Sequence, residues 1–168
     1  MQKNLYILYI FVLAALVSAY IYWDGRDNYS NHAMMNTLSH NELKITDAYA
    51  RAASPTAKSG AIFFVIENGT AEVAHLTSAE SDIARRVELH THKASDDGVM
   101  SMVEIEGGVH AKPGKRTLFQ RGGNHVMLMG LNKSLASGDT FDLTLTFDGK
   151  PINLTVTVDN ERKAKMNH

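Results

Sequence analysis

The C-terminal third of the chain alternates apolar and polar residues, and this restricts the fold more than any other feature. Phe141, Leu143, Leu145 and Phe147 interleave with Asp142, Thr144 and Thr146. After Asp148-Gly149-Lys150, Ile152, Leu154, Val156 and Val158 repeat the alternation. Successive side chains of a strand point to opposite faces, so each run reads as a strand with one buried face. Asp-Gly between two such runs predicts a hairpin.

Shorter segments upstream carry the same signals. Residues 43–46 alternate, and 49–53 could extend them up to Ser54-Pro55. Residues 60–66 form a continuous apolar run, which suits a strand buried on both faces. Glu67-Asn68-Gly69-Thr70 reads as a turn, since Asn-Gly tolerates positive φ. Further strands are expected at 73–78, 85–92, 99–105, 117–119 and 122–131, separated by Asp96-Asp97-Gly98, Gly107-Gly108 and Lys112-Pro113-Gly114-Lys115. Many short strands without an amphipathic helix imply an all-β sandwich or barrel, placed at residues 42–158.

The flanks differ in kind. Residues 5–23 carry no charge and approach the length of about 20 residues that crosses a bilayer as a helix. Tyr20, Tyr22 and Trp23 stand at its far end, where aromatic rings favour the membrane interface. Residues 1–23 are therefore expected to be a signal anchor or, if cut after Val17-Ser18-Ala19, a signal peptide. Apolar sequence continues past that point to Trp23, which favours the uncut anchor, and either reading exports the rest of the chain. Residues 24–41 read as a polar linker containing His32, Met34, Met35 and His40. Residues 159–168 read as a polar tail that frays, with Met166 and His168 near its end.

Composition narrows the chemistry. The chain has no cysteine, which removes disulfides, zinc-thiolate centres, cysteine nucleophiles and blue-copper ligation. Eight histidines and eight methionines remain as soft or borderline donors. A net charge of −1 provides no electrostatic basis for nucleic-acid binding.

Those donors cluster. His90 and His92 precede a turn, Met100 and Met102 follow it, and His125, Met127 and Met129 alternate after Gly122-Gly123. A hairpin sets His90 or His92 opposite Met100 or Met102, because cross-strand neighbours on one face come within about 5 Å. Neutral imidazole and thioether sulfur suit copper(I), whereas carboxylate cages suit Ca²⁺ or Mg²⁺. Methionine beside Leu and Val more commonly fills a core. That is the expectation for Met129, whereas Met127, close to His125 and the glycine turn, is expected to be a ligand. His75 and His110 lack methionine neighbours and read as ordinary strand or surface histidines. A zinc enzyme built on His90, His92 and His125 is a competing reading, but it leaves Met102 and Met127 unused. A copper-sequestering protein would carry the same donors as one that passes copper on.

Val87-Glu88-Leu89-His90, Gly98-Val99-Met100-Ser101-Met102 and residues 122–131 occur in that order. Together they resemble the periplasmic copper chaperone family that serves the CuA centre of cytochrome c oxidase, over residues 43–158. The resemblance implies a cupredoxin-like Greek-key fold without enzymatic activity. It also implies a Cu(I) site made by His90, Met102, His125 and Met127. The CuA domain of oxidase subunit II is the implied acceptor, alongside thiol-bearing assembly factors. The implied compartment is the periplasm: the periplasmic side of the cytoplasmic membrane if residues 1–23 remain as an anchor, or soluble in the periplasm if they are cleaved. Two departures stand out. One extra residue lies between His90 and Met102, which leaves His92 a rival to His90, and Arg121 stands where a proline commonly precedes the two glycines.

Overall fold

The computed structural model describes residues 41–163, except Pro55, Ser95 and Asp96. The expected anchor, the linker up to His40 and the tail beyond Lys163 lie outside the described residues. Ten strands make up the domain: β1 (Leu43–Ala52), β2 (Ser59–Asn68), β3 (Ala74–Glu80), β4 (Ala84–Ala94), β5 (Met100–Glu104), β6 (Val109–Ala111), β7 (Lys115–Phe119), β8 (His125–Leu131), β9 (Thr140–Phe147) and β10 (Lys150–Val158). Hydrogen bonds join them in the order β5-β4-β8-β2-β1-β10-β9-β3-β6, with β7 also on β2. β1 and β10 run parallel, whereas the other pairs are antiparallel. Strands adjacent in sequence are repeatedly separated in the sheet, which is Greek-key-like connectivity. The architecture is the expected all-β, cupredoxin-like one.

The alternation seen in sequence sets the core. Leu143, Leu145 and Phe147 of β9 and Val156 and Val158 of β10 are buried against Ile62, Phe64, Ile66, Leu76 and Leu128. Full burial of each such side chain contributes about 1.5–3 kcal/mol. The Phe64 and Phe119 rings stack at 4.3 Å. The β9–β10 hairpin turns through Asp148 (φ 48°) and Gly149 (φ 77°), the two left-handed positions of a type I′ turn. β1 is one strand interrupted by a bulge, with Asp47 at φ 58° and the register shifting between Thr46 and Tyr49.

Two expectations fail locally, and one strand was not foreseen. Asn68 ends β2 as a buried residue and has no left-handed φ. Its amide donates to the carbonyls of Glu72 and Ala111, and its oxygen accepts from Thr70. The three-residue β6 is too short to carry a periodic signal. The start of the polar tail does not fray: Asp159 donates to the Ala50 carbonyl, and the Asn160 side chain bonds both Ala52 and Leu135.

Candidate metal centre

β4 lies between β5 and β8, and register decides what its histidines meet. His92 stands directly opposite Met102 of β5, and His90 stands between Glu104 of β5 and His125 of β8. Glu88 is opposite Met127, and Met127 in turn is opposite Ala61 of β2. Directly paired residues share a face, so Glu88, His90, His92, Met102, His125 and Met127 all project from the same side. The other face of β8 supplies the core through Val126 and Leu128. Met129 is therefore not a core residue, contrary to expectation; it is half-buried on the donor face, opposite Arg86 and Ser59.

His125 is buried, with 2% of its surface exposed. Its Nδ1 lies 3.0 Å from the Gly123 carbonyl oxygen. A carbonyl only accepts, so Nδ1 carries the proton and Nε2 keeps a free lone pair. Gly122, at φ 77°, makes the turn that brings Gly123 back towards the ring. His92 directs its Nδ1 towards the same carbonyl at a longer 3.4 Å. The His92 and His125 rings are 5.3 Å apart, and those of His90 and His125 are 6.0 Å apart. Burial pushes the His125 pKa below that of a free imidazole; the Gly123 hydrogen bond opposes the shift, while His92 and His90 add to it.

His90 is held differently. Its Nε2 donates to Glu88 Oε2 at 3.0 Å, and Arg86 Nε donates to Glu88 Oε1 at 2.8 Å. The hydrogen bonds from His90 and Arg86 hold the Glu88 carboxyl below the usual carboxylate range. Because Glu88 is an acceptor, Nδ1 of His90 is the bare nitrogen, and it is buried with no hydrogen-bond partner. Leaving a polar atom so costs free energy, and a metal ion would satisfy it. A carboxylate behind a histidine is also the usual way to fix the tautomer and raise the basicity of a metal ligand.

A cleft of about 410 Å³ opens on this face. His92, Met102, His125 and Met127 line it together with Ala61 and Phe63, and Arg51 and Arg121 are its charged lining residues. The structure thus brings Met102, His125 and Met127 together as expected. It places His92 on the cleft wall and His90 beside it on the same face, outside the lining. Among the described residues no three histidines or carboxylates converge as a ready metal site. Glu88 and the Gly123 carbonyl were not singled out from sequence as functional, although Arg86, Glu88 and His90 at alternate positions of one strand are visible there. His75 and His110 lie elsewhere, paired across β3 and β6 with rings stacked at 4.1 Å.

Fold and face together define a cupredoxin-like domain with a soft-donor cleft on the outside of its sheet. The chain belongs to the LpqE-like family, described as "Putative lipoprotein LpqE-like", which it matches over residues 43–158. A relative from Leifsonia xyli subsp. xyli, "Putative lipoprotein Lxx21020", is 28% identical over 127 residues, covering 75% of each chain. Among solved structures, CuI-DR1885 from Deinococcus radiodurans is 30% identical with a TM-score of 0.55, covering 75% of this chain and 85% of that one. The copper-bound PCuAC domain from PmoF2 shares the fold at 20% identity and a TM-score of 0.58, covering 71% of this chain and 94% of that one.

Proposed function

We propose that this protein is a copper(I) metallochaperone of the cell envelope rather than an enzyme. The observation that carries the reading is the cleft wall of Met102, His125 and Met127 with imidazoles from β4 beside it. Thioether sulfur and neutral imidazole select soft, reduced copper. The copper-bound PCuAC domain from PmoF2 and CuI-DR1885 have the same fold.

We assign the metal to His90, Met102, His125 and Met127. His90 is preferred on β4 because its bare Nδ1 is buried and its Nε2 is backed by Glu88. His92, on the cleft wall opposite Met102, is placed to meet incoming copper first. Thioethers bind without a full negative charge, so an acceptor's thiolates can displace them one at a time. The acceptor we propose is the CuA site of cytochrome c oxidase subunit II, reached directly or through thiol-bearing assembly factors. The apolar segment at residues 5–23 is long enough to serve as the tether to the outer face of the cytoplasmic membrane.

Competition against a chromophoric Cu(I) chelator, followed by transfer to a purified apo CuA domain, tests this reading. Met127→Leu keeps volume and removes sulfur, and should weaken Cu(I) binding by about tenfold or more, roughly 1.4 kcal/mol. His125→Ala should abolish transfer. Unchanged affinity in Met127→Leu would reduce Met127 to packing. Tight binding without transfer would make the protein a copper store.

A further inference from the structure

The cleft is far larger than a metal ion requires, and its walls differ in chemistry. Facing the His/Met wall are Arg51 and Arg121, and none of the described lining residues is acidic. Both guanidinium groups hydrogen-bond main-chain carbonyls: Arg51 donates to Arg162 and Asn160, and Arg121 donates to Arg162. Arg51 stands across Ala61 from Met127 in the strand register, and carbonyl acceptors leave both guanidinium groups positively charged at the cleft. Arg121 also lines a neighbouring cleft of about 240 Å³, where Arg116, Arg162 and Lys163 outnumber one acid, Asp47, which is ion-paired with Arg162. On the opposite rim, Met100 and Met102 are 58% and 53% exposed on β5, the edge strand of the sheet.

We propose that this cleft is the docking groove for a thiolate-bearing segment of the copper acceptor, with Arg121 receiving the thiolate. The inference rests on the copper(I) reading above. Copper(I) held on the soft wall accepts a soft donor and the arginine wall favours negative charge, and among protein side chains a cysteine thiolate satisfies both. A nearby guanidinium lowers a thiol's pKa, so the acceptor cysteine gives its proton to solvent on arrival. The thiolate then donates an electron pair to copper as the bond to the Met102 thioether breaks. Copper remains Cu(I) and no electron is transferred. Met102 leaves first because it is exposed on an edge strand, whereas His125 is buried.

The test is stopped-flow transfer from the Cu(I)-loaded full chain to an acidic synthetic peptide carrying two cysteines, and to the same peptide with methionines in their place. Parent, Arg121→Gln and Arg121→Lys are compared, with Cu(I) affinity and Tm measured for each. Arg121→Gln should keep its affinity and slow transfer to the dithiol peptide by about tenfold, in the range of electrostatic steering. Arg121→Lys should restore most of the rate. The parent's advantage should shrink in high salt and be absent with the methionine peptide. Equal rates for parent and Arg121→Gln would overturn the groove while leaving the copper reading intact. So would a loss of Cu(I) affinity or Tm in Arg121→Gln, because Arg121 would then hold the site rather than receive the acceptor. A parent that binds no Cu(I) would overturn the copper reading itself. Binding of the parent to anionic phospholipid vesicles that Arg121→Gln abolishes, with transfer unchanged, would assign the arginines to the membrane instead.

Discussion

His125 has to be buried to face the other donors, and burial is what lowers its proton affinity. The sign of the resulting pH dependence follows directly. Its folded pKa lies below the unfolded value of about 6.5, so between the two the unfolded chain binds a proton that the folded chain excludes. Stability from this group is complete above about pH 6.5 and declines as pH falls below it. Glu88 does not contribute in that window: its pKa is lowered from 4.5, so its contribution is lost only at more acidic pH. The Tm of the metal-free protein should fall between pH 7.5 and 5, and His125→Leu should flatten that profile. Parallel profiles for parent and variant would show that His125 does not titrate in this range. Cu(I) affinity should fall over the same interval, because a protonated imidazole cannot ligate. The donor types were legible in the sequence because residue type alone carries softness. What distinguishes His90 from His92 was not, since the Glu88 contact and the pairing register with β8 are encoded in no local pattern.

At the scale of the element, strands with one buried face announced themselves. β9 and β10 follow from their alternation, and β4 from Val87 and Leu89 opposing His90 and His92. The β8 misreading is informative: Met129 looked like core by composition, but Val126 and Leu128 take the core face, leaving odd positions outward. β2 runs at the base of the cleft, and its pairing with β1 is close at Gly60, opposite Ala52. A Cβ at position 60 would lie 2.8 Å from the Arg51 carbonyl oxygen and 3.2 Å from Leu135 Cδ1. The first of these atoms is backbone and can yield only by parting the strands. Gly60→Ala should therefore destabilise the domain by about 1–3 kcal/mol, the usual cost of overpacking. Thermal unfolding checks this, and an unchanged Tm would mean that β1 shifts freely at this point.

At the scale of the whole molecule, the parallel pairing of β1 with β10 brings residues 159–162 beside Arg51 and Ala52, two residues of the cleft lining. Asn160 is the fastener. Its Nδ2 donates to the Leu135 carbonyl at 2.9 Å, its Oδ1 accepts from Ala52 N at 2.9 Å, and its own backbone N donates to Ser137 Oγ at 3.1 Å. Its carbonyl accepts from Arg51, so the same residue that closes the domain also orients the arginine wall. Ala52 and Leu135 are both buried, so removing the amide leaves a donor and an acceptor without partners. Asn160→Ala should accordingly cost roughly 2 kcal/mol or more, given about 1–3 kcal/mol for each unsatisfied buried group. The assigned copper donors lie on β4, β5 and β8, away from β10 in the sheet order. Cu(I) affinity measured well below Tm should therefore remain near the parent value while transfer to a dithiol acceptor slows, because Arg51 loses its hold. If affinity falls together with Tm, the clamp is part of the metal site, and the separation between a copper-holding wall and an acceptor-receiving wall fails.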